Sequence, residues 1–186
     1  MSTLEVNSIQ PLSSGSTITL GASGKTLSIP SGCTITNSGT ATGFGGGKVG
    51  QLITATHSTA STTSSSSFGD INISANITPS ATDSKIYIQC MVSVLVTRSN
   101  AEVYGRMKLV RDSTDIYTQG SQNFGGYTGG ASALQIMATL PILFIDTPST
   151  TSQITYKLQG ANSGGGSTTF HYQDTPSTMQ LLEILA

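Results

Sequence analysis

Two histidines, two cysteines and a thin scatter of carboxylates are where acid–base, nucleophilic or metal chemistry would have to start in this chain. His57 stands among Ala55, Thr56, Ser58 and Thr59, and His171 stands between Phe170 and Tyr172. A serine nucleophile must be held against an imidazole by the fold, so nearness in so serine-rich a sequence carries no weight. No Gly-x-Ser-x-Gly elbow occurs, and both histidines read as strand or strand-end residues. Asp112 and Asp115 are the closest approach to a pair of glycosidase carboxylates. Their setting, Arg111-Asp-Ser-Thr-Asp115, reads instead as a hairpin turn, where Asp bonds its own backbone. It also lacks the alternating oxygens and sixth-position glycine of a calcium loop. Gly47-Lys48 has the look of a phosphate loop, but Thr42 stands where that motif needs Gly and Val49 where it needs Ser or Thr. Cys33 and Cys90 have no Cys or His at metal-ligand spacing and read as reduced, small apolar side chains. The expectation is a protein with no catalytic residues, no metal and no cofactor.

One loop invites a binding reading. Gln119-Gly-Ser-Gln-Asn-Phe-Gly-Gly-Tyr-Thr-Gly-Gly130 joins two strong strands and sets Phe124 and Tyr127 among amides and glycines. An aromatic ring packs on the apolar face of a sugar while Asn and Gln meet its hydroxyls, which makes Asn123, Phe124 and Tyr127 candidate receptor contacts. Tyr172, near the second glycine-rich loop 161–168, is a further candidate. The alternative is that the rings tuck into the domain or a subunit boundary.

Composition bounds the partners. Charged residues make up 9% of the chain and the formal net charge is −1, so no basic field is present to hold nucleic acid. No run of eighteen apolar residues occurs, and Met1-Ser-Thr-Leu-Glu5 lacks the basic start and apolar core of a secretory signal. Neither a membrane span nor export is expected.

The elements that must carry any site fall into three parts. Residues 1–14 contain one short extended stretch, Leu4–Ile9, closed by Pro11, and read as an attachment segment held by sister chains or a docking partner. Residues 15–47 repeat a unit of Gly-x-Thr-aliphatic-Thr/Ser and end in the hinge Gly43-Phe-Gly-Gly-Gly47. Within the repeats Ile18, Leu20, Leu27, Ile29 and Ile35 line one face, too few to form a core alone. Copies of the same chain wound about a common axis would supply the missing neighbours, giving an intertwined homotrimeric β-stalk; a disordered Gly/Ser/Thr linker is the alternative. Residues 48–186 change character and alternate apolar with polar, with strands expected at 49–56, 70–77, 85–97, 102–111, 131–145, 153–160, 168–172 and 178–185. Pro141 divides the run 131–145 or marks a sheet edge. In the strongest strand Ile86, Ile88, Cys90, Val92, Val94 and Val96 share one face, and the mixed opposite face suits a subunit interface. Eight such strands without helical periodicity predict an all-β, jelly-roll β-sandwich head.

The phrases Ser2-Thr-Leu-Glu-Val-Asn-Ser-Ile-Gln-Pro11, Thr19–Gly32, Ile73-Ser-Ala-Asn-Ile-Thr-Pro-Ser80 with Ser84-Lys-Ile86, Asp146–Thr151 and Met179-Gln-Leu-Leu-Glu-Ile184 add a resemblance. In them the chain resembles small structural proteins of tailed bacteriophages, particularly those of marine and cyanobacterial hosts, over nearly its whole length. The resemblance implies a virion component assembled in the host cytoplasm. Such proteins are usually trimeric, with an N-terminal attachment segment, a short shaft and a jelly-roll head, and the family suggests no catalytic residues. Cys33 departs from it, in a place that usually takes a small residue. Three functions follow as expectations: a short trimeric tail fibre or spike binding host glycan through head loops, a capsid decoration or head-fibre protein, and, remotely, a glycan-active enzyme. In the first two, residues 1–14 would dock on other virion proteins of the tail or capsid.

Overall fold

In the computed structural model the chain divides into two units, Met1–Phe44 and Gly45–Ala186. The structure describes residues 31–32, 48–98, 102–127 and 133–185. The expected stalk positions Ile18, Leu20, Leu27, Ile29 and Ile35, the segment 1–14 and Cys33 lie outside the described residues.

Among the described residues eleven strands run through the second unit: β1 Lys48–His57, β2 Ser61–Thr63, β3 Gly69–Ile77, β4 Lys85–Arg98, β5 Glu102–Arg111, β6 Thr114–Thr118, β7 Phe124–Tyr127, β8 Leu134–Asp146, β9 Ile154–Gly164, β10 Ser167–Phe170 and β11 Ser177–Leu185. A short 3-10 turn at Tyr172–Asp174 is the one helical element among the described residues. The pairing is antiparallel throughout and forms two sheets. Sheet A runs β1-β11-β4-β8, with β10 and β2 continuing beside the upper part of β4, and sheet B runs β3-β9-β5 with β6 and β7 sharing the far side of β5. First strand beside last, and each sheet drawn from both halves of the unit, is the strand order of a jelly roll.

The all-β expectation therefore holds, with three differences in detail. The pair Thr114–Thr118 and Phe124–Tyr127 are short strands rather than turn and loop, because β5 is long enough to pair with both in succession. Ser61–Thr63 forms a three-residue edge strand against β10 that is too short and polar for alternation to register. The run ending at Asp146 is one strand, undivided by Pro141. That proline lies on an edge strand opposite Met91, where its missing N–H interrupts no ladder.

The core lies between the sheets and follows the pleat. Ile86, Ile88, Cys90, Val92, Val94 and Val96 of β4 are all buried to within 1%. They face Ile71, Ile73 and Ile77 of β3, Met107 and Leu109 of β5, and Tyr156 and Leu158 of β9. Cys90 is a free thiol, and burial pushes its pKa up to about 12, so it packs as an apolar side chain. The sheets approach closely at Gly160, where a Cβ would stand 2.3 Å from the Phe170 ring. Only a residue without a side chain fits there.

Two buried polar clusters tie one end of the sandwich. Asp146, ending β8 in sheet A, accepts from Arg111 Nη1 at 2.8 and 2.9 Å and from Tyr156 Oη at 2.6 Å, both in sheet B. Glu183, fully buried on β11, accepts from the Ser80 N–H at 2.6 Å, the Ser80 hydroxyl at 2.8 and 2.9 Å, and Gln51 Nε2 at 2.8 Å. Burial alone raises the Glu183 carboxyl, but these donors favour the charged form more and leave it below its ordinary value. Because the folded value is depressed, this stabilisation is full above about pH 4.5 and is lost as acid drives the pH through the folded value. Glu183→Gln turns an amide N–H₂ toward existing donors. It should destabilise the unit by about 1–3 kcal/mol at pH 7 and flatten the loss below pH 4.5. Urea unfolding across the two pH ranges measures both.

Candidate functional site

The carboxylates and histidines weighed for catalysis are all engaged in the fold. Asp112 sits in the β5–β6 turn at φ 53°, and its Oδ1 accepts from the Thr155 N–H at 2.9 Å. Asp115 pairs with Lys108 Nζ at 2.8 Å. His57 closes β1 and His171 follows β10, and the fold brings their rings to 4.8 Å, a meeting of residues far apart in the chain that sequence alone did not signal. Among the described residues no three His, Cys, Asp or Glu side chains gather into a metal-holding group, and no helix is long and apolar enough to cross a membrane.

The candidate receptor residues separate. Phe124 opens β7 opposite Gly105, and its half-buried ring packs against the core cluster. Asn123, beside it, is exposed. Tyr127 ends β7 opposite Glu102; its side chain lies outside the described residues. The half-buried Tyr172 lies elsewhere, in the excursion between β10 and β11 that leaves the edge of β4 near Ser93. β7 pairs with the beginning of β5, at the end of the sandwich opposite the one where Lys48 pairs with Leu185. Gln119, first residue of the loop, is buried and structural. Its N–H donates to the Met107 carbonyl at 3.0 Å, and its Oε1 accepts from the Met107 N–H at 2.8 Å.

A second surface is better built for contact. Of the seven large apolar residues exposed among the described ones, six lie on the outer face of sheet A: Val49 63%, Leu52 58%, Met91 37%, Met137 62%, Leu143 58% and Ile145 56%. Register places them in rows. Leu52, Leu182, Tyr87 and Ile145 stand abreast across four strands, and Leu95 stands opposite Met137. Thr, Gln, Ser and Pro141 fill the rows between, and the only charge on these rows is Lys85 at the margin. The outer strand β8 has no strand on its other side among the described residues.

Sheet B is the opposite in character. Its outer face carries Asp70, Asn72, Ser74, Asn76, Lys108, Lys157 and Gln159. Lys157 Nζ binds Asp70 Oδ2 at 2.9 Å, and Arg106 and Lys108 stand over the Phe68 ring at 4.8 and 5.1 Å. The Gln159 amide and then Lys157 hold the Asp70 carboxyl below its ordinary value. This face is made for water; the outer face of sheet A is not.

No protein-family model matches the chain, and no curated protein matches it. Among solved structures it is similar to that of infectious bursal disease virus, Gx strain, at 19% identity and a TM-score of 0.36, over 73% of this chain and 37% of that one. It is also similar to the T=1 particles derived from the same virus, at 17% identity and a TM-score of 0.34, over 72% of this chain and 38% of that one. The chain thus spans less than two-fifths of those proteins, and at these values the likeness carries no argument about function.

Phe124→Ala removes a ring packed on the core. It should lower unfolding free energy by about 1–3 kcal/mol, less than for a fully buried ring because this one is partly exposed. Chemical denaturation of the variant measures this.

Proposed function

We propose that the chain is a structural component of a tailed-phage particle: a short homotrimeric tail fibre or spike whose heads meet through the outer face of sheet A. The observation that carries this reading is that face itself. A nearly uncharged face that exposes six large apolar side chains is costly in water and marks a place of contact. Its partner must also be apolar and nearly uncharged, or else a charge would lose its hydration without a counter-ion. Another copy of the same face meets that requirement, and the charged outer face of sheet B does not. The phrases shared with phage structural proteins, and the Gly-x-Thr repeats at Ile18, Leu20, Leu27, Ile29 and Ile35, support association of like chains. Residues 1–14 are the proposed anchor to other virion proteins. Asn123 and Tyr127, at the end remote from Lys48, are the proposed contacts with a host glycan, with Tyr172 set apart from them.

Light scattering on the full chain tests the assembly. The wild type should give three protomers. Leu143→Asp, placing a charge among the exposed apolar side chains of β8, should shift it to monomers with its β-sheet circular dichroism unchanged, since Leu143 supports no core contact. A monomeric wild type, or a variant that stays trimeric, overturns the role of this face. Failure of the purified chain to be found in particles overturns the virion reading separately.

A further inference from the structure

Where β3 passes over the middle of β9 its register slips between Asp70 and Ser74, and Asn72 adopts a left-handed φ of 64°. Such a bulge takes residues out of the ladder, and Ile71–Ile73 have no register partner in β9. The Ile71 carbonyl needs a donor, because an unpaired buried carbonyl is costly. Its partner comes from the other sheet: His171 Nε2 lies 2.6 Å away, and the His171 side chain is fully buried.

The segment carrying His171 is under strain. His171, Gln173 and Asp174 have φ of 55°, 54° and 53°, three left-handed non-glycine residues within four positions. Such residues persist only when their surroundings hold them. Here the His171 N–H donates to the Ser93 carbonyl at 2.8 Å, the Ser177 hydroxyl accepts from the Ser93 N–H at 3.2 Å, and the imidazole grips Ile71. This anchorage lets β10 and β11 follow one another along the same side of β4 with a five-residue excursion, Tyr172 to Pro176, between Phe170-His171 and Ser177.

Donation from Nε2 to a carbonyl sets the tautomer, so His171 Nδ1 carries only a lone pair. That atom is buried without a hydrogen-bond partner, and so is His57 Nε2. The two rings meet edge to face, centroids 4.8 Å apart and planes at 73°. The elements around His171 present few other groups. β1 presents His57, β3 the Ile71 carbonyl, β4 the Ser93 carbonyl and β11 the Ser177 hydroxyl; on its own segment Tyr172 is half-buried and Asp174 exposed.

We propose that His57 and His171 form a proton-operated latch between the two sheets: with His171 neutral and edge-packed on His57 the latch is closed, and a proton on His171 opens residues 171–177. The proton, taken from solvent onto His171 Nδ1, would make an imidazolium buried against a second imidazole with no anion facing it among the described residues. Opening hydrates that charge and relaxes three left-handed residues at once. Burial, first, and His57 hold His171 below the ordinary histidine value, with the Ile71 carbonyl opposing them. The sign follows. The unfolded or opened segment takes up a proton as pH falls through about 6.5 while the closed one does not, so closure is fully stable above that value and weakens below it. The window lies above those of the Glu183 and Asp70 carboxylates, whose ordinary values are 4.5 and 3.8. The latch is independent of the assembly proposed above.

Hydrogen exchange on the full-length wild type, corrected for the intrinsic rate, tests this directly. Protection of residues 171–177 should fall about tenfold between pH 7.5 and 5.5, with that of β4 residues 86–92 falling far less. The thermal midpoint should fall by roughly 3 °C over the same interval. A variant carrying both His57→Phe and His171→Gln keeps an edge-packed ring and an amide donor for Ile71, and neither side chain titrates. Its midpoint and its protection at 171–177 should be flat across that interval. Wild-type protection at 171–177 that does not change with pH overturns the latch, whatever the variant does. So does a pH dependence that survives in a folded double variant.

Discussion

The pleat of β4 is the constraint on which the rest of the head depends. Fourteen residues long, it is the only strand of sheet A that pairs with β11, β10 and β8 together. Its alternate side chains cannot all serve one purpose. The inward set, Ile86 to Val96, is buried against sheet B and supplies the middle of the core. The outward set, Tyr87, Gln89, Met91, Ser93, Leu95 and Thr97, becomes the centre of whatever surface sheet A presents. Since a one-residue slip would exchange the two sets, burial of the inner face also specifies the register of every neighbour.

Apolar burial between two sheets is non-directional, and the polar groups at the margins give it orientation. Arg111, Asp146 and Tyr156 join β5, β8 and β9 across the sandwich at one end, close to where Glu183 gathers Gln51 and Ser80. Each carboxylate is surrounded by donors, which is the condition under which a buried charge is tolerated. At mid-height the same task falls to an uncharged group, the imidazole of His171 on the Ile71 carbonyl. A donor with an ordinary pKa near neutrality makes that joint sensitive in a way the carboxylate joints are not.

The two outer faces divide the work of the surface. Sheet B spends its exposed positions on ion pairs and amides and has no large apolar side chain of β3, β5 or β9 in the open. Sheet A exposes Val, Leu, Ile and Met on β1, β4 and β8, with the half-buried Leu182 and Ile184 of β11 between them. This asymmetry is the physical basis for the proposal that the chain assembles with copies of itself.

Much of this was legible in the residues themselves. Period-two alternation identified β1, β3, β4, β5, β9 and β11 and the buried face of β4 residue by residue, because a side chain's face in a strand is set by parity alone. Parity also marked the mixed outer face of β4 as a candidate interface. Tertiary structure was needed wherever a residue's role depends on a partner distant in the chain. Phe124 reads as a sugar platform or, by preference, as a packed ring, and only β7 laid against β5 brings its ring to the core. The edge position of β8 makes Pro141 harmless, which no local pattern states. His57 and His171 stand in unrelated phrases, and only β1 and the end of β10 meeting beneath a bulge in β3 makes them neighbours. Local sequence dictates which way a side chain points; long-range pairing alone decides what it points at.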